Sequence, residues 1–233
     1  MAKVIQTKNQ NVYKFVRLLN SIAPEKNRWQ VFEDWAKCGA ISLSNVGHYS
    51  QKYENEYLET IKAYNELDRM KFAKMLAVVV DGMEERFCDF LGEAYMSCDM
   101  GNGHLGQFFT PYDVSLASAK MTISDKLDNN RIYSFAEPSC GSGGMIVACA
   151  EVLRDKGFPF QRNMIAYMGD IDITAVHMAV IQCSILGIPA VISHQNSLTC
   201  ETWRTYETPA VGMSFVLERW ENQKAKDEKE KIA

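Results

Sequence analysis

Glu137-Pro138-Ser139-Cys140-Gly141-Ser142-Gly143-Gly144-Met145 places three glycines and several small polar residues between two runs of different character. Upstream, Ile132-Tyr133-Ser134-Phe135-Ala136 is a short β-prone segment. Downstream, Gly143 to Lys156 carries Met145, Ile146, Ala148, Cys149, Val152 and Leu153 on one helical face. A strand, a glycine turn and a helix in that order make an α/β unit with backbone open to a ligand. Glycine tolerates φ > 0 and has no Cβ, and the first amides of a helix have no intrahelical partner. Ile146 stands where a Gly-x-Gly-x-x-Gly pattern needs its third glycine, and no Gly-Lys-Ser/Thr comes after it. Dinucleotide and nucleoside-triphosphate loops are therefore disfavoured.

Two flanking segments extend the pattern. Gly106-Gln107-Phe108-Phe109-Thr110-Pro111 precedes a run that reads as a helix, with Thr110 as N-cap, Pro111 at the first helical position and Asp113 near the positive helix end. Phe109 reads equally well as a core residue ahead of that helix. Gly169-Asp170-Ile171-Asp172-Ile173-Thr174 closes a second β-prone run, Met164 to Gly169. A carboxylate at such a strand end can accept from both hydroxyls of a ribose. Asp170 is the favoured candidate, since Asp172 has a plainer role as N-cap of a helix from Thr174 to Leu186. A third run, Ala190-Val191-Ile192-Ser193, leads into His194-Gln195-Asn196-Ser197-Leu198. The Asn196 amide, a donor and an acceptor, suits either an adenine edge or a polar turn.

In this order and spacing, the three segments resemble the S-adenosylmethionine (SAM) dependent DNA adenine-N6 methyltransferases, especially the modification subunits of type I restriction systems. The resemblance covers roughly residues 105–198 and implies a Rossmann-like α/β methyltransferase domain. It implies that Phe109 and Thr110 lie by the methionine part of SAM and that Glu137, Pro138, Ser139, Cys140, Gly141, Ser142 and Gly143 form the loop around it. By the same resemblance Asp170 takes the ribose, Ile171 beside it belongs to the cofactor site, and Asn196 stands where the family usually carries Asp by the adenine ring. DNA, and a specificity or methyltransferase partner chain, are the implied partners. One family feature is missing: the Asn/Asp/Ser-Pro-Pro-Tyr/Phe segment that holds the flipped adenine. The six prolines stand at 24, 111, 138, 159, 189 and 209, none adjacent. Thr208-Pro209-Ala210-Val211 is the only candidate remnant, and the stretch after Val211 is too short for further strands and a DNA reader. The substrate half of the domain is expected to be truncated, and the catalytic residues are left unassigned. Two functions stay open: part of an active methyltransferase completed by another chain, or a catalytically inactive SAM-fold regulator, decoy or assembly subunit.

The rest of the sequence sets bounds. The chain has 233 residues, 47% apolar and 23% charged, with a net charge of −4. Such a composition suits a soluble, cytoplasmic globular protein and offers no basic stripe for tight DNA binding alone. Nothing approaches a membrane span or signal peptide. Seven cysteines without a Cys-x-x-Cys pair and four scattered histidines suggest neither disulfides nor a metal. Before Gly101 the pattern is helical: Asn11 to Ile22, Trp29 to Lys37, a single helix or a pair from Lys52 to Val80, and a continuation over Asp81 to Tyr95. The glycines at 101, 103 and 106 mark the expected boundary, giving a helical domain (1–104), a SAM domain (105–217) and a charged tail (218–233).

Overall fold

The computed structural model describes residues 7–98 and 109–232, so the segment 101–106 offered as a domain boundary lies outside the described residues, as do Gln107 and Phe108. Five helices come first: α1 (Gln10–Asn20), α2 (Arg28–Gly47), α3 (Gln51–Lys62), α4 (Glu66–Glu85) and α5 (Phe90–Ser97). Each begins on an Asn, Ser or Asp whose side chain accepts from an amide of the first turn: Asn9, Asn27, Ser50, Asn65 and Asp89. The stretch from Lys52 is thus a pair of helices, because Asn65 caps a new one. The run from Asp81 to Tyr95 is broken at 86–89, because Asp89 caps another.

Beyond them come α6 (Tyr112–Thr122), β1 (Tyr133–Glu137), α7 (Gly144–Asp155), α8 (Phe160–Asn163), β2 (Met164–Asp170), α9 (Ile173–Ile185) and β3 (Ala190–Asn196). The three strands are parallel and adjacent in the order β1-β2-β3, with Phe135 opposite Ala166 and Ala166 opposite Ala190. Helical crossovers of this kind cover the sheet, and β2, central and buried along nearly its whole length, reads as a near-continuous apolar strand for that reason. β4 (Glu201–Glu207) adds an antiparallel edge to β3 through a hairpin, a strand not anticipated from the sequence.

Side chains alternate between the two faces of the sheet. Met164, Ala166, Met168, Ala190 and Ile192 face α7 and α9 in one contiguous core that continues through Phe15, Trp35 and Phe90 of the helical layer. Ile132, Ile165 and Val191 face the other way, toward Val211, Val216, Leu217 and Trp220 of α10 (Pro209–Ser214) and α11 (Val216–Ile232). α11 is fastened to the start of β1 by Gln223, which donates to the Ile132 carbonyl (3.0 Å) and accepts from its amide (2.8 Å). The helical layer also grips β4: Arg204 makes a bidentate ion pair with Glu56 (2.7 and 2.8 Å), and Tyr53 stacks on Tyr206 with ring centroids 5.1 Å apart.

Candidate functional site

The carboxyl ends of β1 and β2 open on a cavity of about 260 Å3. One wall is the turn from Glu137 to Gly144. Gly141 (φ +53°) and Gly143 (φ +95°) both occupy the left-handed region that L side chains avoid. A Cβ on Gly141 would sit 2.8 Å from the Phe109 ring, so the turn and Phe109 touch only because that atom is absent. Gly143 is the N-cap of α7, and no side chain caps that helix start. The first turn of α7 therefore presents its amides without a protein side chain competing for them.

Asp170 braces the turn from β2. One carboxylate oxygen accepts from the Gly141 amide (2.8 Å) and the other from Asp172 N (2.9 Å). Each oxygen keeps a lone pair that can face a ligand. Asp172 caps α9, accepting from Thr174 N (2.8 Å), the plainer role foreseen for it.

Of the residues singled out from sequence, Phe109, Thr110, Glu137, Ser139, Cys140, Gly141, Ser142 and Asp170 line this one cavity. Four others stand apart from its wall. Gly143 lies beneath it, packed near Ala179 and Met168. Pro138 turns its carbonyl to the Ser197 hydroxyl, which donates to it at 2.5 Å. Ile171 lies just past Asp170 and is 64% exposed. Asn196 spends its carboxamide oxygen on the amides of Leu198 (3.0 Å) and Thr199 (3.2 Å), shaping the β3–β4 hairpin.

One expectation needs correction: Thr110 is not the N-cap of α6. Pro111 holds that position, because its carbonyl accepts from Val114 N and Ser115 N, and no side chain caps the helix. Thr110 lines the cavity.

Gly144 and Met145, from the end of the glycine stretch, also line the wall, and two residues missed from sequence complete it, Asp89 and Ser115. Asp89 is the best connected of them: one oxygen accepts from the Ser142 hydroxyl (2.6 Å), the other from Gly92 N (2.9 Å) and the Gln182 amide (2.9 Å). Gln182 donates in addition to the Ser142 carbonyl (2.7 Å) and accepts from Leu91 N (3.0 Å). The glycine turn, α5 and α9 are thus locked through one buried cluster. Burial holds the Asp89 carboxyl above the usual carboxylate range, although its three donors oppose that shift. The only sequence signal was an Asp before an apolar helical run, which reads as a cap.

The cavity wall carries three carboxylates, Asp89, Glu137 and Asp170, and no Lys or Arg. It suits a ligand with a cationic group and offers no charged side chain to a phosphate. The Cys140 thiol is held well above its ordinary pKa, by burial first and then by the charges of Asp170 and Glu137, so it stays protonated and unreactive. Among the described residues, no three His, Cys, Asp or Glu are placed to hold a metal, and no helix is long and apolar enough to cross a membrane.

At the opposite, amino end of the strands sits Thr208. It is buried, donating to the Ile188 carbonyl (2.7 Å) and accepting from Ala190 N (3.0 Å), and Pro209 then opens α10. β3 spans seven residues between the two ends, so Thr208-Pro209-Ala210 lies roughly 20 Å from the cavity edge at about 3.3 Å per residue.

The sequence model of the N-6 DNA methylase family matches residues 89–231. A comparison with curated protein sequences finds no match. Among solved structures, a Listeria monocytogenes protein described as a class I S-adenosylmethionine-dependent methyltransferase is similar at 15% identity and a TM-score of 0.48, over 82% of this chain and 55% of its own. The methyltransferase subunit of a type I restriction-modification system from Streptococcus thermophilus is similar at 13% identity and a TM-score of 0.42, over 87% of this chain and 60% of its own. The chain thus spans a little over half the length of these two structures.

Proposed function

Since the chain belongs to the N-6 DNA methylase family, we propose that it binds SAM across the carboxyl ends of β1 to β3 and serves as the cofactor half of a DNA adenine-N6 methyltransferase of restriction-modification type. The observation that carries this reading is the cavity itself: two left-handed glycines, an uncapped helix start and three carboxylates with no Lys or Arg among its lining residues. These residues fit SAM, whose sulfonium and ammonium are cationic and which carries no phosphate.

In this reading the turn from Glu137 to Gly144 cradles the methionine part, with Phe109 and Thr110 closing over it. Asp170 accepts from the ribose hydroxyls while still bracing Gly141. Ile171 lies against the adenine, and Asn196 reaches its edge through the amide nitrogen, its oxygen being held in the hairpin turn. The cofactor supplies a methyl group on sulfur, activated toward an amine nucleophile. What this chain contributes is orientation: loop, Asp89 and Gln182 are fixed before anything binds, so little ordering remains at the moment of binding.

No described residue near the cavity resembles an amine holder. Thr208-Pro209-Ala210 faces the wrong end of the sheet, and its hydroxyl is occupied by Ile188 and Ala190. In this first reading the target adenine is held by groups outside the described residues, with a second subunit as their proposed source. The same placement favours a second reading, in which the protein is a non-catalytic SAM-fold regulator, decoy or assembly subunit. Calorimetric titration with SAM, paired with labelled-methyl transfer to adenine in mixed-sequence DNA, separates these. The first reading expects binding by the purified chain and transfer only once a second subunit is added; the second expects no transfer in either case. Absence of SAM binding overturns the first.

A further inference from the structure

α6 carries three Ser and Thr hydroxyls on its helical body that behave differently. Ser118 and Thr122 are on the outside and donate to the carbonyls four residues back, Val114 (3.0 Å) and Ser118 (2.8 Å). Such back-bonding is the default for a helical Ser or Thr. Ser115 is buried, at 1% exposure, in the stripe it shares with Ala119, and among the described residues its Oγ has no hydrogen-bond partner. The Pro111 carbonyl, four residues back, already accepts from Val114 N (2.9 Å) and Ser115 N (3.2 Å). An orphaned buried hydroxyl is costly and rare, and one that persists calls for an explanation. Ser115 is among the residues that line the cavity with Thr110 and the glycine turn, which makes a ligand in the cavity the candidate for the missing partner.

We propose that Ser115 is a ligand-binding residue whose hydroxyl donates to the carboxylate of the amino-acid end of a bound SAM. The assignment rests on the SAM reading above and adds to it a residue outside every segment that suggested that reading. The chemistry of the wall indicates the carboxylate. Asp89, Glu137 and Asp170 attract the ligand's cationic groups and repel its carboxylate. Donors are therefore needed for the carboxylate, and the Ser142 hydroxyl is already committed to Asp89 (2.6 Å). The hydroxyls of Ser115, Thr110 and Ser139 remain, together with the uncapped first turn of α7, and of these hydroxyls only that of Ser115 is buried without a partner.

The test compares wild type with Ser115→Ala by calorimetry against two probes: S-adenosylhomocysteine, which has the amino-acid end, and 5′-methylthioadenosine, which lacks it. Thermal unfolding of both ligand-free proteins accompanies the titrations. The expected result is about tenfold weaker S-adenosylhomocysteine binding, about 1.4 kcal/mol, unchanged 5′-methylthioadenosine binding, and a ligand-free melting point equal to or above wild type. Equal S-adenosylhomocysteine affinity overturns the assignment. Parallel loss for both probes also overturns it, by showing a distorted loop, and a lowered ligand-free melting point does so by showing a structural partner. Wild-type protein that binds neither probe sinks the SAM reading itself and the assignment with it.

Discussion

At the carboxyl end of the parallel strands polar groups face an open cavity, whereas at the amino end they are paired against one another. Around the cavity, α7 starts without a side-chain cap, Ser115 Oγ is orphaned and Asp89, Glu137 and Asp170 crowd one wall. Around the other end, Thr208 satisfies both Ile188 and Ala190, and Gln223 satisfies both polar groups of Ile132. Both regions use the same residue types. They differ in how much hydrogen-bonding capacity is left over: the first turn of α7 and Ser115 Oγ at the cavity, against side-chain polar atoms that each have a partner at Thr208 and Gln223. In the SAM reading leftover capacity serves the ligand while spent capacity serves the scaffold.

Gly141→Val tests that contrast at its strongest point. The residue sits at φ +53°, and its new Cβ would meet the Phe109 ring at 2.8 Å. Both the backbone strain and the lost cradle act on the cavity. SAM binding is expected to fall at least about 100-fold, about 2.7 kcal/mol. Wild-type affinity in a calorimetric titration would remove the turn from the site.

Next in size is an effect of pH on the scaffold. His177 is buried against Tyr206, with its ring nitrogen 3.0 Å from the phenol oxygen. Desolvation, helped by the positive charges of Arg204 and Lys37, lowers its pKa from 6.5 to about 3. The imidazole is thus neutral in the fold and takes up a proton once unfolded. Its contribution to stability is fully present above pH 6.5 and is lost as pH falls toward about 3. Each unit in that window is worth about 1.4 kcal/mol. Urea unfolding of wild type between pH 7 and 4 should therefore steepen relative to His177→Gln; superimposable pH profiles would show that burial does not hold the ring neutral.

Thr208→Val breaks the amino end. Leaving the Ala190 amide and the Ile188 carbonyl without their hydroxyl partner should cost about 2 kcal/mol of stability, by the usual penalty for a buried unsatisfied group. SAM affinity should be unchanged, since the residue is roughly 20 Å from the cavity edge. Unchanged stability with weakened SAM binding would invert the assignment of the two ends and restore Thr208-Pro209 as a functional segment.

The two ends also differed in how far they could be read from sequence. The glycine turn was legible because its constraint is local: Gly141 and Gly143 adopt left-handed backbone in their own right, and the flanking periodicities fix strand and helix. Asp170 was legible as an acidic residue at a strand end. Asp89 and Ser115 were not, because their roles depend on tertiary neighbours. Asp89 looks like any helix cap until Gln182 and Ser142 are brought to it, 93 and 53 residues along the chain. Ser115 looks like any helical serine until its hydroxyl is found buried without a partner among the described residues. Thr110 was misassigned by one position, since a Thr before a Pro matches a capping pattern that the backbone here realises at Pro111 itself. β4 was missed because an antiparallel edge depends on its hairpin and on Glu56 and Tyr53 gripping it, and neither registers in its own short alternation.

Asn196 sits where the two kinds of region meet, at the carboxyl end of β3 but with its oxygen already spent on Leu198 and Thr199. Replacing it by Ala removes a turn-forming acceptor and, in the SAM reading, one amide contact to the adenine edge. If spent capacity marks scaffold, the turn is the larger share: the melting point should fall by an amount fitting about 1 kcal/mol. SAM affinity should then fall no more than about threefold, roughly 0.6 kcal/mol. Asn196→Asp keeps the acceptor, discards the amide donor and adds a negative charge, so it should recover the melting point while leaving the small loss of affinity. A tenfold or greater loss of SAM binding in Asn196→Asp, with stability intact, would show that the amide nitrogen carries more recognition than the occupied oxygen suggests, and that the binding region extends into the hairpin.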